Sequence, residues 1–247
     1  MDPVAQASLD RVLAAVEAER ALSEDLREHA RALDRAQRKV CVQLGQVHAL
    51  PLSDIPAHLD VVAASMADVR EALAQLAAQV PAHEFYRWCD IWAGSVRSAA
   101  YAAALAFYLG TGGLLSKEGT ERVLGLESLA PHQMQLTTDD YLHGLISMVN
   151  DLPRLAVTAV IAGDYHTPLS VVTLVKQVHA AFQVLNLKND ALRKRFDSLK
   201  YDVKRAEDVL YDIHLRGLHK QATSDDAATL VQRHGASDAM LARLCGM

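Results

Sequence analysis

The chain has 247 residues, enough for one sizeable hydrophobic core, and this length argues against two large domains. Hydrophobic residues make up 51% of the chain and aromatic residues only 5%, with 12 glycines and 7 prolines, a composition that suits helices and disfavours sheets. Its net charge of −5 means that nucleic-acid binding would need a local basic surface, because the overall field repels phosphate. We therefore predict an all-α, single-domain bundle.

Helical periodicity places the first elements in chain order. Apolar residues recur every three or four positions from Leu9 to Val47, and the two prolines of HALPLSDIP end this first helix. A second helix is predicted over 53–79. A long central helix is predicted over 82–109, since its second half, SAAYAAALAFYL, is apolar on all sides.

The later helices are placed by their start and stop signals: polar N-caps, prolines in first turns, and glycines after last turns. These signals are Ser116, Thr138, Gly163, Pro168, Asn189 or Asp190, and Gly217. Together they give about seven helices with short loops. We predict a helical domain over 1–220 and, because periodicity fades there, a mobile tail over 221–247.

Cysteine usage and hydropathy indicate the compartment. Cys41, Cys89 and Cys245 form no CxxC motif, which fits free thiols in a reducing cytosol or nucleus. The N-terminus lacks the apolar segment of a signal peptide, and the longest apolar run, 99–109, is shorter than the roughly 20 residues that span a bilayer. We predict a cytoplasmic and nuclear protein with no membrane partner.

The segment EFYRWCDIW combines aromatic residues with a cation. Tyr86 or Trp88 could stack unpaired bases while Arg87 contacts phosphate, a common arrangement in single-strand binding proteins. Alternatively Trp88 and Trp92, one helical turn apart, belong to the core, an interpretation that fits Trp92 best. The sequence leaves both interpretations open.

The last helix, NDALRKRFDSLKYDVKRAEDVLY, carries an apolar stripe and a basic row. At about 100° per residue, the stripe collects Leu192, Phe196, Leu199, Val203, Ala206, Leu210 and Ile213. Arg193, Lys200 and Lys204 form the basic row beside it. Periodicity alone favours a solvated surface for this row, since Asp197 and Asp208 are placed to form i,i+4 ion pairs.

The same segment also fits a leucine-zipper heptad. Apolar residues repeat at heptad spacing at Val178, Leu185, Leu192 and Leu199, with Phe182, Asn189, Phe196 and Val203 between them. The repeat crosses NLKND, whose asparagines and aspartate favour caps and turns. We therefore expect two helices that share a packing stripe instead of one long coiled coil.

The usual catalytic motifs are absent from the sequence. No pair of the 11 histidines falls at HxxxH or HExxH spacing, and GTGGLLSK lacks the spacing of a phosphate-binding loop. Asp151 and Asp164 could serve a Mg²⁺-dependent nuclease only if packing brought them together around Pro153. A carboxylate pair at this place is the enzymatic alternative.

Several segments, in this order, resemble the translin family. The resemblance rests on LNLKNDALRKRFDSLKYDVKRAEDVLYD with the RG that follows at Arg216, and on RLAVTAVIAGDYHTPL, DDYLHG, PAHEFYRW and the DIP that begins at Asp54. It covers most of the chain up to about Lys220. The resemblance is specific because long stretches between Leu185 and Lys204 are identical to the sequence of that family.

The resemblance implies an all-helical subunit of a hollow octamer that binds single-stranded RNA and DNA. The implied partner is a paralogue, translin-associated factor X, and the mixed complex is an endoribonuclease acting in RNA silencing and tRNA processing. In that family the paralogue holds Mg²⁺ with an ExxE and a DxxxE pair. At the matching positions this chain has Ser98 and Tyr101, then His166 and Ser170, so no catalytic or metal-binding residue is implied here.

The resemblance also turns the basic row into a predicted nucleic-acid surface. The predicted contact residues are Arg87, Arg193, Lys194, Arg195, Lys200 and Lys204. Lys194 points away from the row, and Arg195 lies on the other flank of the helix. Phosphate contacts from the aromatic segment should be weaker than in the family, because Cys89 and Ile91 replace two histidines there, with Arg97 as a candidate substitute.

Two alternatives stay open. One is an intrinsic Mg²⁺-dependent endoribonuclease of the homo-oligomer, built on Asp151, Asp164 or other acidic residues. The other is a helical adaptor that has lost nucleic-acid binding, which the net charge of −5 favours. The first predicts RNA cleavage by the pure chain, and the second predicts intact oligomers that do not bind RNA.

Overall fold

The chain folds into α-helices joined by short loops and 3₁₀ turns. The computed structural model describes residues 3–129, 133–188, 190–218 and 237–246, and within these ranges it contains no strand. The helices are α1 (Pro3–Gly45), α2 (Ile55–Gln79), α3 (Phe85–Trp88), α4 (Ala93–Thr111), α5 (Lys117–Val123), α6 (Thr138–Ile161), α7 (His166–Val184), α8 (Ala191–Leu215) and α9 (Ser237–Cys245). The predicted all-helical fold is confirmed.

Helix α4 forms the centre of the molecule. Over residues 99–109 it is apolar on all sides, as its sequence predicts, and Ala99, Ala102 and Ala103 are each 0% exposed. Helices α1, α2 and α6 pack around it. At Gly144 of α6, an added Cβ would lie 2.9 Å from the Cβ of Ala100, so the glycine permits a close approach of the two helices.

The prediction of one long central helix over 82–109 is wrong for the first half of this segment. The structure divides this segment into α3, a 3₁₀ turn at Cys89–Ile91, and α4. At Trp88 and Trp92 φ is −114° and −118°, far from the helical value of about −63°. Both indole rings are buried, so the packing of two large side chains overrides the helical preference of the segment.

The polar caps predicted from the sequence fix the starts of three helices. The side chains of Ser116, Thr137 and Asp190 accept hydrogen bonds from backbone amides in the first turns of α5, α6 and α8. The cap of α6 lies one residue before the predicted Thr138. Each cap satisfies an amide that has no partner within its helix, which explains why local sequence places these starts correctly.

The heptad pattern spans two helices, as NLKND suggested. Helix α7 ends at Val184, and α8 begins at Ala191 after its cap. The residues of the stripe that are buried where α6, α7 and α8 meet are Val178, Phe182, Leu192, Phe196 and Leu199. The apparent zipper is therefore a core stripe of one subunit.

Helix α9 lies in the segment that we predicted to be a mobile tail. Its Met240 and Leu244 are buried, at 5% and 0% exposure, and the helix packs against α2, α4 and α5. Arg70 of α2 donates a hydrogen bond to the carbonyl of Leu244 at 2.7 Å. Apolar residues at helical spacing therefore dock 237–246 on the core, while 221–236 of the predicted mobile tail lies outside the described residues.

The N-terminal half of α1 contributes nothing to this core. From Val4 to Ala21 every described side chain of α1 is exposed, and burial begins with Leu22 and Leu26. The exposed part includes five large apolar side chains: Val4, Leu9, Val12, Leu13 and Val16.

Helix α6 is the one described helix that is long and apolar enough to cross a membrane. Its most apolar window is 56% buried, and α4, α7 and α8 pack on it. The apolar character of α6 therefore fits a helix in the core of the bundle.

Candidate nucleic-acid interface

The predicted basic row is exposed on α8. Arg193, Lys200 and Lys204 point to solvent because the buried stripe of the helix faces α6 and α7. Arg193 pairs with Asp197 at 3.2 Å and Lys204 with Asp208 at 3.5 Å, as the i,i+4 spacing predicts. Exposed pairs of this kind contribute only about 0.3 to 0.5 kcal/mol each, so a phosphate group can compete with these carboxylates.

An aromatic cluster lies beside the first two cations of the row. The ring of Phe196 stacks with those of His179 and Phe182, at centroid distances of 5.6 and 5.7 Å. Together with Arg193 and Lys200, these rings line a concavity of about 320 Å³ between α7 and α8. The two phenylalanines are buried and His179 is half-buried, so His179 is the ring that a base can contact.

Sequence reasoning missed the part of this concavity that α7 provides. His179 and Gln183 lie one turn apart on the face of α7 that meets α8. The spacing HAAFQ places both on the same side as Phe182, and this i, i+3, i+4 pattern is the signal that could have found them.

Arg195 lies on the opposite flank of α8, where it faces α6. Its guanidinium donates to the carbonyl of His143 at 3.3 Å and to the hydroxyl of Ser147 at 2.8 Å. Burial, and then the nearby charge of Arg97, lower the pKa of Arg195. Arg195 therefore joins two helices and does not share a surface with the basic row, whereas Lys194 beside it is exposed.

Arg97, the candidate substitute for the missing histidines, is held by two carboxylates at the start of α6. Its Nε lies 2.7 Å from Asp140 and its Nη2 2.9 Å from Asp139. Asp140 also accepts a hydrogen bond from the hydroxyl of Thr137 at 2.7 Å. The guanidinium thus ties α4 to the first turn of α6, and its charge is balanced within the subunit.

Arg87 is exposed but engaged by carboxylates. Its Nη2 lies 2.7 Å from Glu19 of α1, its Nη1 lies 3.4 Å from Glu84, and the guanidinium stacks 5.1 Å from the ring of Trp88. The hydrogen bond and charge of Glu19 raise the pKa of Arg87. Sequence reasoning missed Glu19, because a contact between α1 and α3 leaves no trace in local spacing.

The aromatic residues of the same segment divide between core and surface. Trp88 and Trp92 are 7% and 2% exposed, which confirms that they belong to the core. Tyr86 is 78% exposed, and its hydroxyl accepts a hydrogen bond from Gln135 at 3.0 Å. Tyr86 is therefore the ring of this segment that a base can reach.

Residues 21–217 match the Translin family. The chain belongs to the translin family. It is 36% identical to Translin of Gallus gallus over 210 residues, which cover 85% of this chain and 92% of that protein. It is 35% identical to Translin of Homo sapiens over 208 residues, covering 84% and 91%. Translin-associated protein X of Rattus norvegicus is 24% identical over 168 residues, covering 60% of this chain and 58% of that protein.

Solved structures share the translin-like fold of this chain. A chain from the "Structure of AfC3PO - duplex RNA complex" superposes with a TM-score of 0.64 at 15% identity, covering 85% of this chain and 97% of that chain. A chain from the "Crystal structure of apo-NeC3PO" gives a TM-score of 0.57 at 12% identity, with the same coverage. The helical architecture of the translin family is therefore present here.

Two of the four positions that the resemblance pairs with the carboxylates of the paralogue make hydrogen bonds within the subunit. The hydroxyl of Ser98 donates to the carbonyl of Gly94 at 3.1 Å, and that of Ser170 lies 3.3 Å from the hydroxyl of Tyr108. Over the described ranges, no group of three or more His, Cys, Asp and Glu side chains is placed to hold a metal ion.

The two aspartates considered for an intrinsic nuclease belong to separate networks. Asp151 accepts a hydrogen bond from the hydroxyl of Tyr101 at 3.0 Å, and the same oxygen lies 3.3 Å from Nε2 of His48. Asp164 accepts hydrogen bonds from backbone amides at the start of α7. Asp151 lies in the middle of α6 and Asp164 beyond its end, so the helix itself holds the two carboxylates apart.

Proposed function

We propose that this chain is a single-stranded RNA- and DNA-binding, non-catalytic subunit of an oligomeric endoribonuclease complex. The observation that carries the proposal is the exposed basic row of Arg193, Lys200 and Lys204, with the half-buried ring of His179 beside it. Phosphates of a strand lying along α8 would replace the carboxylates that now pair with the row, and a base would stack at the concavity between α7 and α8.

The proposed catalytic partner is a translin-associated factor X protein. Support comes from the relatives of that name in the same family and from the residues of this chain at the family's carboxylate positions, which are Ser98, Tyr101, His166 and Ser170. Their hydroxyl and imidazole groups do not replace a carboxylate cage for Mg²⁺, so the partner would supply the metal and cleave. Roles in RNA silencing and tRNA processing, in cytoplasm and nucleus, belong to the same proposal.

Assembly of several copies is the other part of the proposal. A groove of about 860 Å³ lies between α6 and α7, open to solvent and lined mainly by apolar side chains, among them Leu142, Leu145, Leu169, Leu174 and Phe182. Exposed apolar surfaces of this kind mark interfaces in soluble proteins. This groove supports an oligomer of this chain, which we propose to be a hollow octamer.

The salt dependence of RNA binding tests the basic row. Replacing Arg193, Lys200 and Lys204 together with Gln should reduce the slope of log affinity against log salt by about 2, because each lost phosphate contact removes roughly 0.7 from the single-strand slope. The measurement is a fluorescence anisotropy titration of a labelled single-stranded RNA at several salt concentrations.

A matched control removes the same charge from another exposed helix face. Arg27, Arg31 and Arg38 of α1 also pair with carboxylates, and their joint change to Gln should leave the slope unchanged. A flat plot for the unmodified chain would contradict RNA binding and favour the adaptor. Cleavage of RNA by the pure chain with Mg²⁺, lost in Asp164→Asn, would instead favour the intrinsic nuclease.

A further inference from the structure

The guanidinium of Arg87 lies between two carboxylates. Oε2 of Glu19 lies 2.7 Å from its Nη2, and Oε2 of Glu84 lies 3.4 Å from its Nη1. The same oxygen of Glu84 accepts a hydrogen bond from Nε1 of Trp88 at 2.9 Å. Two negative charges thus flank one positive charge, and the net negative charge around Arg87 disfavours the approach of a phosphate group.

Helix α1 directs Glu19 towards the body of the subunit. At about 100° per residue, Glu19 lies within about 20° of Leu26, which is 0% exposed, and one turn before the half-buried Leu22. The face that α1 buries therefore extends to position 19, where the chain has a carboxylate instead of an apolar side chain. Glu19 also precedes residues 21–217, which match the Translin family, whereas Arg87 lies within them. The contact is thus made by a residue outside the matched part of the chain.

The surface beside this contact has room for a nucleic-acid strand. Tyr86, next to Arg87, is 78% exposed. A concavity of about 580 Å³ opens between α1 and α3, lined by Glu19 and Arg20 of α1 and by Trp88 of α3. A base would stack on Tyr86 while a phosphate meets Arg87, but the carboxylate of Glu19 already occupies the guanidinium.

The ion pair of Glu19 and Arg87 is weak enough to be displaced. The exposed fractions of the two side chains are 51% and 50%, so water and salt screen their attraction. Exposed ion pairs of this kind change an equilibrium constant by about 5-fold at most. A phosphate can therefore replace Glu19 at Arg87, and the strand then binds more weakly than it would to a guanidinium that Glu19 does not engage.

We propose that Glu19 is an intramolecular competitor of nucleic acid at Arg87 and lowers the affinity of this surface for single-stranded RNA. Its carboxylate pairs with the guanidinium in the free protein and leaves it when a phosphate of the strand binds. The inference rests on the proposed function, since it requires a chain that binds RNA. A strand held by the basic row of α8 alone does not involve Glu19, so the effect of Glu19 reports whether the surface at α3 takes part in binding.

Variants of the full chain that remove one carboxylate charge test the competition. Glu19→Gln should raise the affinity for a labelled single-stranded RNA by about 2- to 5-fold, because one carboxylate instead of two then competes for Arg87. The measurement is a fluorescence anisotropy titration at low salt. Glu17→Gln is the control, since it removes the same charge from the opposite side of α1, and it should change the affinity by less than about 1.5-fold. Both substitutions fall at exposed positions, so the fold stays intact.

The same substitution in an Arg87→Gln background identifies the partner of Glu19. There Glu19→Gln should give no gain in affinity, because the competition requires the guanidinium. Equal affinities of the Glu19→Gln and Glu17→Gln variants, or a gain that persists in the Arg87→Gln background, would overturn the proposal and leave RNA binding itself standing. Absence of RNA binding by the unmodified chain and by Glu19→Gln alike would refute the proposed function as well.

Discussion

Asp151 is a carboxylate inside the bundle that its neighbours keep ionised. Burial acts to raise its pKa, but the hydrogen bond and charge of His48, together with the Tyr101 hydroxyl, outweigh burial, and the pKa of Asp151 lies below its ordinary value. Burial, and then the charge of Asp151, raise the pKa of Tyr101 in turn. Because its pKa is lower in the folded chain than in the unfolded chain, ionised Asp151 stabilises the fold at pH values above about 4. This contribution to the free energy of unfolding is lost as the pH falls through the lowered pKa.

Tyr101→Phe should therefore destabilise the fold in a pH-dependent way. At pH about 7 the free energy of unfolding should fall by about 1.5 to 3 kcal/mol, since one hydrogen bond to a charged acceptor is lost. The loss should shrink as the pH falls from about 4 through the lowered pKa of Asp151, because the carboxyl is protonated below that pKa. Urea unfolding at a series of pH values from about 7 downward measures this, with Tyr86→Phe at the surface as a control that stays within about 0.5 kcal/mol. An equal loss at every pH would contradict a role for the charge.

The basic residues show how far single positions can be predicted from sequence. A helix fixes angles between its residues, so the row of Arg193, Lys200 and Lys204 followed from spacing alone. The partners of Arg87 and Arg195 did not, because Glu19 lies on α1 and the acceptors of Arg195 lie on α6. Which distant element supplies a partner depends on how the helices pack.

At the scale of elements, the approach of α4 and α6 depends on Gly144. In Gly144→Ala the new Cβ would lie 2.9 Å from the Cβ of Ala100 and 3.0 Å from the amide nitrogen of Tyr101. The higher helix propensity of alanine would stabilise the fold by about 1 kcal/mol. Overpacking destabilises a fold by about 1 to 3 kcal/mol, and here the new Cβ would meet backbone atoms that cannot shift without moving the helix. We expect a lower unfolding temperature, measured by circular dichroism.

Gly94→Ala is the matched control for this substitution. Gly94 lies in the first turn of α4, and an added Cβ would meet no atom within 4 Å. The unfolding temperature of the Gly94→Ala variant should stay the same, or rise because alanine has a higher helix propensity than glycine. A stabilised Gly144→Ala would contradict the close approach of the two helices.

The elements themselves were predictable where a local signal defines them. Polar side chains at Ser116 and Asp190 cap their helices through amides a few residues away, so the sequence contains the whole interaction. The break between α3 and α4 was not predictable in this way. It follows from the burial of Trp88 and Trp92, which depends on the surrounding helices.

At the scale of the whole molecule, α9 connects the last residues of the chain to the core. Leu244→Ala should lower the free energy of unfolding by about 2 to 5 kcal/mol, with the docking free energy of α9 as an upper limit. Urea unfolding and hydrogen exchange of α9 amides measure this, and Leu241→Ala, which is half-buried, should cost less. Unchanged stability in Leu244→Ala would support the mobile tail that we first expected.

The overall architecture followed from composition, whereas the docking of α9 did not. Scarce aromatics, glycines and prolines with helical periodicity indicate a helical bundle before any contact is known. The apolar residues Met240, Leu241 and Leu244 form a pattern too short to distinguish a docked helix from a tail. Only the complementary surface of α2, α4 and α5 decides between the two.

The chain contains two tryptophans, and both lie in the segment that carries Arg87. Trp88 is in contact with the guanidinium of Arg87, 5.1 Å from its ring, and Trp92 is buried close by, whereas α8 contains neither. Because α8 contains Tyr201 and Tyr211 but no tryptophan, fluorescence excited selectively at tryptophan senses one of the two basic surfaces and not the other. We expect a strand bound along α8 to leave the tryptophan emission unchanged and a strand that draws Arg87 away from Trp88 to alter it, so unlabelled protein distinguishes the two binding modes in one titration.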